Sequence, residues 1–178
     1  DIVHRLRMEQ PVRAILDPSR PNLFFEVLRV PSADRKDEIF EDALDGCEGT
    51  GIVYVATVKE GERLYERYQG RWPLALYHGR RSRRQRAEAH DAFMGGEVKA
   101  VIATNAFGLG IDKPDIRFVL HYHLPGSPEA YYQEAGRAGR DGEPAMCSLL
   151  YSEEDQRVQK YFLGGRYPTI AEAAAVAG

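Results

Sequence analysis

The feature that most constrains the fold is a set of short apolar runs that show no alternation between apolar and polar residues. Ile52-Val53-Tyr54-Val55 is one such run, and residues 98–103 contain another. A strand with one face in water alternates, whereas a strand covered on both faces is apolar along its whole length. These runs are also shorter than an ordinary helix. They therefore predict central strands of a parallel sheet.

Segments with helical spacing separate these strand-like runs. We predict strands at residues 23–30, 51–56, 74–77, 98–103, 117–121 and 145–151, and helices at 35–44, 59–68, 82–94, 128–135 and 152–163. Repeated strand–helix units form an α/β fold, a parallel β-sheet with helices on both faces. Ligands of such sheets bind at the carboxyl ends of the strands. Candidate loops are therefore those after Ala56, Tyr77, Ala103 and His121.

Composition indicates one well-buried domain, because 43% of the 178 residues are hydrophobic. The formal net charge is −3 with a pI near 6.0, so nucleic-acid binding would require a local basic patch. Five arginines crowd one short stretch: Arg80, Arg81, Arg83, Arg84 and Arg86. They predict either phosphate contact or a solvated helix face, and both interpretations stay open. Acidic residues concentrate instead in the helix predicted at 35–44 and beside it.

Cysteine and histidine are too sparse to indicate a metal site. Cys47 and Cys147 form no Cys-x-x-Cys pair, so we interpret them as reduced intracellular thiols and predict no zinc. His121 and His123 would point to one side of a strand, but without a third ligand we expect packing. No signal peptide and no apolar run of roughly 20 residues occurs, so we expect no membrane partner. Because the chain begins at Asp1 and ends in an Ala-rich stretch, we expect a piece of a longer protein.

The segment at residues 131–142 combines arginine with glycine on a short turn. Arg137 and Arg140 carry planar guanidinium groups that match the oxygens of a phosphoryl group. Gly136 and Gly139 allow the backbone to bend sharply and to approach a ligand. With Gln133 just before them, these residues predict a site that contacts phosphate. The alternative is a solvated surface turn.

The loop after residues 98–103 is rich in small residues. Thr104 offers a hydroxyl and an exposed amide to a backbone phosphate, while Gly108 and Gly110 permit conformations that other residues resist. Asp112 is an acceptor for a ribose hydroxyl or for a partner arginine. The third glycine and the helix start of a dinucleotide-binding fingerprint are missing, so we disfavour that fold. A purely structural turn is the remaining alternative.

Together these motifs resemble the RecQ branch of superfamily 2 helicases. Residues 103–112 resemble motif V, residues 131–142 motif VI and residues 51–56 motif IV, while Tyr77-His78-Gly79 and Arg20-Pro21-Asn22-Leu23 resemble two further family elements. The sequence of motif VI found here is specific to RecQ relatives, so membership of the DEAD-box RNA helicases is disfavoured. The resemblance implies a second RecA-like domain at 21–163. It implies the tail of a first motor domain and a linker at 1–20, and a linker or a further module at 164–178.

The resemblance also implies that ATP binds with Mg²⁺ between two RecA-like domains. No Gly-x-x-x-x-Gly-Lys-Ser/Thr and no Asp-Glu-x-His box occurs in this chain, so the domain is P-loop NTPase-like without its own P-loop. We therefore expect no ATP hydrolysis by this chain alone. The implied roles are Arg140 as arginine finger, Arg137 as second phosphate contact or support of the cleft, and Gln133 as orienting the γ-phosphate or the attacking water. Asp112 and Gly110 are expected beside the nucleotide.

On the DNA side, the resemblance implies contacts from Thr104, His78, Arg80 and Arg81. The implied activity is that of an ATP-dependent 3′–5′ DNA helicase acting on single-stranded or forked DNA. The expected partners are that DNA and the first RecA-like domain, and this chain is expected to be monomeric. We expect a cytoplasmic, nucleoid-associated or otherwise intracellular location. The alternative is a non-catalytic module that binds DNA or docks a protein.

Overall fold

The computed structural model describes residue 7, residues 19–108 and 111–153, and residue 155. Within these residues the strands are β1 (Leu23–Arg29), β2 (Thr50–Tyr54), β3 (Leu74–Tyr77), β4 (Ala100–Ala103), β5 (Ile116–His121) and β6 (Ala145–Tyr151). The helices are α1 (Ala33–Gly46), α2 (Val58–Tyr68), α3 (Arg83–Met94) and α4 (Pro128–Ala135). The strands form one parallel sheet in the order β1-β6-β5-β2-β4-β3.

Each helix begins at a hydroxyl side chain that accepts a hydrogen bond from a free backbone amide. The caps are Ser32 for α1, Thr57 for α2, Ser82 for α3 and Ser127 for α4. In α3 the cap is reciprocal, because the side chain of Gln85 accepts from the backbone amide of Ser82 at 3.0 Å. Such caps replace hydrogen bonds that the first turn of a helix cannot make internally. They fix where each connection from the sheet turns into a helix.

Helices cover both faces of the sheet, and each face has its own apolar core. On one face Ala89 and Phe93 of α3 pack with Ala135 of α4 against β2, β4 and β5. On the other face Phe40 of α1 and Leu64 of α2 pack against the same strands. In β2, Ile52 and Tyr54 belong to the first core and Val53 to the second. The absence of alternation in this strand is thereby explained.

The acidic helix α1 is neutralised by arginines of α2 and of the turn after it. Asp37 accepts from Arg63 and Arg67 at 2.8 Å each, and Arg71 pairs with Glu41 and Asp45. Hence the arginines of α2 are occupied within the fold. The predicted segregation of charge along the sequence becomes pairing between neighbouring helices.

The predicted architecture is confirmed: the sheet is parallel, with helices on both faces. Predicted boundaries differ from the observed ones by up to two residues. The last predicted helix, at 152–163, lies mostly outside the described residues, and the domain limits stay a prediction. None of the described helices is both long and apolar enough to cross a membrane.

Candidate functional site

The turn at residues 136–142 holds both arginines of the predicted phosphate site against the loop that starts at Thr104. Arg140 Nη1 donates to Asp112 Oδ1 at 2.6 Å, and Arg137 Nη1 donates to the carbonyl of Gly108 at 2.5 Å. α4 ends at Ala135, so the two arginines do not share a helix. They nevertheless reach the same loop. Of the two partners proposed for Asp112, the structure shows the arginine.

Arg137 and Arg140 differ in burial and therefore in how easily each side chain can change its partner. The side chain of Asp112 is 85% exposed and that of Arg140 is 37% exposed. An ion pair so open to water contributes about 0–1 kcal/mol, so exchanging one partner costs little. Arg137 is half-buried, and its Nε has no hydrogen-bond partner among the described residues. Arg140 is therefore the guanidinium that can turn to an incoming anion, while Arg137 is built into the fold.

A side chain at Gly108 would displace the guanidinium of Arg137. A Cβ on Gly108 would lie 2.6 Å from Arg137 Nη2 and 3.1 Å from Cζ. On the other side of this contact, the Tyr54 hydroxyl donates to the carbonyl of Phe107 at 3.0 Å. Burial raises the pKa of Tyr54, so the phenol remains a donor at neutral pH. Strand β2, this loop and the arginine turn therefore meet at Arg137.

Arg20 and Asn22, both just before β1, hold the same turn through its backbone carbonyls. Arg20 Nη2 donates to the carbonyls of Ala138 and Gly139 at 2.9 and 2.6 Å. Asn22 Nδ2 donates to the carbonyls of Gly139 and Glu143 at 2.8 and 2.9 Å. We call this pair the clamp. The sequence indicates this segment only as a family element, because its partners lie more than a hundred positions away.

Gln133 lies on the last part of α4, four residues before Arg137. It lines an open pocket of about 310 Å³ with Arg20, Leu23, Phe25, Tyr132 and Gly136. Phe25 is 48% exposed and Tyr132 is 55% exposed. Neither Arg137 nor Arg140 lines this pocket. Of the three predicted catalytic residues, Gln133 lines this pocket, while Arg137 and Arg140 contact Gly108 and Asp112.

Glu134 and His121 link the helix α4 to the sheet. His121 is fully buried, its Nε2 lies 2.9 Å from Glu134 Oε2, and its ring stacks on Tyr54 at 5.2 Å between centroids. His121 and His123 do not share a side, because β5 ends at His121. His123 lies instead near the charges of Lys36 and Arg63. The expected parallel orientation of the two histidines is wrong.

Two residues assigned to DNA are less accessible than the sequence predicted. The amide of Thr104 is not free, because it donates to the carbonyl of Tyr77 at 3.3 Å, and the residue is only 9% exposed. His78 is 3% exposed and its nearest carboxylate, Glu62, lies 3.6 Å away. Burial lowers the pKa of His78, so its ring is neutral near pH 7. Both residues shape the carboxyl edge of β3 and β4 more than they present groups to solvent.

Arginines near these residues are available for an external anion. Within the described part of the chain, no carboxylate pairs with the arginine cluster, which comprises Arg80, Arg81, Arg83 and Arg86. Arg84, between them, pairs with Glu88 at 2.7 Å. Arg80 and Arg83 are exposed, whereas Arg81 and Arg86 are half-buried. Unpaired arginines so close in sequence are typical of a surface that binds phosphates.

The arginine cluster and the Arg140–Asp112 pair lie at opposite ends of the strands. Arg81 donates its backbone amide to the carbonyl of His78, just beyond the carboxyl end of β3. Gly139 donates its amide to the carbonyl of Ile116, the first residue of β5, so Arg140 lies beside the amino end. Arg140 and Asp112 therefore do not lie at the carboxyl ends of the strands, where the sequence placed the candidate loops. Gly110 lies outside the described residues.

The described residues suit a phosphate better than a metal. Arg140 and Arg137 supply positive charge of the kind that attracts a phosphate group. Among the described residues, no cluster of three or more His, Cys, Asp or Glu side chains could hold a metal ion. Any Mg²⁺ that accompanies ATP would thus need ligands from outside this set.

Comparison with known proteins identifies the domain. The profile of the helicase conserved C-terminal domain family matches residues 35–142. The chain belongs to this helicase C-terminal domain family. The matched range begins in α1 and ends at the arginine turn, so it contains both the arginine cluster and the Arg140–Asp112 pair.

The helicase C-terminal domain has RecQ helicases among its relatives. It is 42% identical over 164 residues to the ATP-dependent DNA helicase RecQ of Bacillus subtilis. That match covers 92% of this chain and 27% of the RecQ protein. It is 37% identical over 169 residues to the ATP-dependent DNA helicase hus2/rqh1 of Schizosaccharomyces pombe, covering 93% and 13%. The resemblance to RecQ helicases is thus confirmed. The chain spans only a minor part of these relatives' length.

A solved structure shows the same fold. A Dbp5 variant of S. cerevisiae bound to a Gle1 variant and IP6 superimposes with a TM-score of 0.70. The identity is 25%, and the match covers 81% of this helicase C-terminal domain and 40% of that chain. The predicted fold is therefore confirmed as that of a RecA-like helicase C-terminal domain.

Proposed function

We infer that this chain is the second motor domain of an ATP-dependent DNA helicase of the RecQ type. The observation that carries this proposal is the position of Arg140. It is paired with the exposed carboxylate of Asp112 on a turn that four clamp hydrogen bonds hold in place. A mobile guanidinium on a fixed backbone is suited to a phosphate that arrives from another domain.

Arg140 acts in this proposal as the arginine finger on the γ-phosphate. When ATP binds, its guanidinium leaves Asp112 for the phosphate, which the weak exposed pair permits. Arg137 keeps the loop of Gly108 against the turn and supplies a second positive charge. An arginine finger lowers the barrier by about 4–7 kcal/mol, which corresponds to about 10³–10⁵ in rate. The released carboxylate of Asp112 is then free to accept a ribose hydroxyl.

The nucleotide site is completed by a first RecA-like domain, which we propose as the direct partner. Exposed Phe25 and Tyr132 beside Gln133 support a protein contact at this surface. That domain would supply the phosphate loop and the Mg²⁺ ligands, and Mg²⁺ would neutralise charge on the transferred phosphoryl group. Gln133 would orient the γ-phosphate or the attacking water. This chain alone is then inactive in ATP hydrolysis.

DNA would bind along the arginine cluster at the carboxyl edge of β3 and β4. Arg80 and Arg83 are exposed and unpaired within the described residues, which supports direct phosphate contact. The buried side chains of Thr104 and His78 would support this edge. Phosphate contacts are insensitive to base sequence, as a protein that moves along DNA requires.

Coupling between ATP and DNA would run through one loop. The loop begins at Thr104, next to the arginine cluster, and ends at Asp112, which pairs with Arg140. Closing the cleft on ATP and opening it after hydrolysis would move the DNA-binding edge relative to the first domain. Repeated cycles would carry the protein along one strand, in the 3′ to 5′ direction by resemblance. An intracellular location goes with this function.

Strand unwinding by the longer protein tests the proposal. We expect ATP-dependent separation of a duplex with a 3′ single-stranded tail, and little separation of a blunt duplex or one with a 5′ tail. A protein that binds these substrates but separates none of them with ATP would support the alternative, a non-catalytic DNA-binding or docking module. Preference for the 5′ tail would keep the motor and overturn the polarity.

A further inference from the structure

Arg20 converges on backbone atoms of the turn that carries Arg140. Its Nη2 donates to the carbonyls of Ala138 and Gly139, and within the described residues it pairs with no carboxylate. Its Nε donates to Asn22 Oδ1 at 3.4 Å, which orients the Asn22 amide. A surface arginine that serves only solubility does not usually donate to two backbone carbonyls, as Arg20 does. Such charge-assisted hydrogen bonds are among the stronger ones in proteins.

The carbonyl of Gly139 is the focus of these contacts. It accepts from Arg20 at 2.6 Å, from Asn22 at 2.8 Å and from the amide of Gly142 at 3.0 Å. This carbonyl belongs to the peptide bond that joins Gly139 to Arg140. The plane of that peptide fixes the position of the Arg140 Cα atom. Three donors on one oxygen therefore hold in place the backbone from which the Arg140 side chain extends.

We propose that Arg20 and Asn22 are positioning residues for the arginine finger, and that they make its aim depend on the segment entering β1. The inference rests on the proposed function of Arg140. Arg20 also lines the pocket beside Gln133, so the clamp touches both the finger turn and the surface proposed for the first motor domain. A shift of the entering segment would reach Arg140 through a single peptide bond. The role of Arg20 and Asn22 is thus conformational, and neither contacts ATP.

Arg20→Lys and Asn22→Ala in the intact helicase test the proposal. Lysine keeps the charge but has no planar fork to span two carbonyls, and alanine removes the amide that reaches Gly139 and Glu143. We expect kcat for DNA-stimulated ATP hydrolysis to fall by about 10–100-fold, as for a reacting group displaced by about 1 Å. We expect the KM for ATP to change by less than about threefold, because binding contacts remain. Arg29→Lys, at the end of β1 and paired with Glu153, is the matched control and should leave both unchanged.

A double-mutant cycle separates aiming from general damage. In an Arg140→Lys background, whose finger is already displaced, Arg20→Lys should lower kcat by less than about threefold, because the clamp acts through Arg140. Multiplicative losses in the double variant would overturn the proposal. Hydrogen exchange of the intact protein gives a second reading: the peptide over residues 136–145 should exchange faster in Arg20→Lys, with the central strands unchanged. Faster exchange throughout the domain would mean that the variant only destabilises the fold.

Failure of the proposed function would look different. If Arg140→Lys hydrolysed ATP as fast as the wild type, there would be no finger and hence nothing for the clamp to aim. If Arg140→Lys were impaired while both clamp variants matched the wild type, the finger would stand and the clamp proposal alone would fall.

Discussion

Gly139 is the residue on which the arginine turn depends. Its φ of +54° lies in the left-handed region, which side chains other than glycine's rarely tolerate. A Cβ at this position would lie 2.7 Å from the carbonyl oxygen of Glu143 and 2.5 Å from Asn22 Nδ2. The first of these atoms is backbone and cannot move aside cheaply. The turn therefore needs glycine for both its backbone angle and its packing.

Gly139→Ala should destabilise the domain by about 2–3 kcal/mol, the sum expected for backbone strain and a tight contact. Chemical denaturation of the purified chain measures this. Gly126→Ala is the matched control, since a Cβ there meets nothing within 4 Å. It should change the free energy of unfolding by less than about 0.5 kcal/mol. Equal stability of the two variants would contradict the described turn.

For individual residues, the sequence predicts which side chains belong to the candidate site better than it predicts their hydrogen-bond partners. The motif at residues 131–142 predicts that Arg137 and Arg140 belong to one site. For Asp112 the sequence allows two partners, a ribose hydroxyl or an arginine. Nothing local could show that the Thr104 amide is already bonded to Tyr77. The clamp was equally invisible, because Asn22 and Gly139 are 117 positions apart. Long-range hydrogen bonds of this kind have no signature in spacing or composition.

At the level of secondary-structure elements, a buried network of charged and polar side chains connects the carboxyl ends of β2 and β5 with α1 and α2. Tyr122 donates to Asp37 at 2.7 Å, and His123 accepts from the amide of Ala56 at 3.4 Å. Burial, and then the positive charges of Lys36 and Arg63, lower the pKa of His123 to about 3. An unfolded histidine titrates near 6.5. The folded domain therefore keeps this ring neutral over a range in which the unfolded chain is protonated.

Stability should consequently fall as the pH drops from about 6.5 towards 3, because the unfolded state binds a proton that the folded state excludes. By pH 5 this amounts to at most about 2 kcal/mol from His123. His123→Asn should flatten the decline in unfolding free energy between pH 7.5 and 5. His90→Asn, on the exposed surface of α3, is the control and should keep the full decline. A steeper decline in His123→Asn than in the wild type would refute the assignment.

The elements themselves could largely be predicted from the sequence. Continuous apolar runs identified the strands because the sheet is covered on both faces. Helix starts were less accurate: α1 begins two residues before the predicted start, since Ser32 caps it. Side-chain direction at the end of β5 could not be predicted, because the strand stops at His121 and His123 follows a bend.

Considered as a whole molecule, the domain keeps two cationic sites apart. The arginine cluster lies at the carboxyl edge of β3 and β4, and Arg140 lies beside the amino end of β5. Net charge is −3, so neither site could be inferred from overall composition. Pairing decides which arginines are available, since those of α2 neutralise α1 while the cluster has no carboxylate partners among the described residues.

The salt dependence of DNA binding should show whether the arginine cluster contacts DNA phosphates. Replacing Arg80 and Arg83 by glutamine removes two exposed cations, so the slope of log K against log salt should shrink by about 1.4 for single-stranded DNA. Fluorescence anisotropy with a labelled oligonucleotide across a salt series measures that slope. The control, Arg29→Gln with Arg35→Gln, removes the same charge from paired surface residues and should leave the slope unchanged. Equal losses in the two variants would indicate a general effect of charge.

Arg140 as the finger of a two-domain motor is the central element of the proposed function. DNA-stimulated ATP hydrolysis by the intact protein, compared between wild type and Arg140→Ala at constant salt, tests this directly. We expect the variant to lose about 10³-fold or more in kcat while still binding ATP, since the finger acts on the transition state. Hydrolysis by Arg140→Ala at the wild-type rate would contradict the account and leave the pair with Asp112 a purely structural contact.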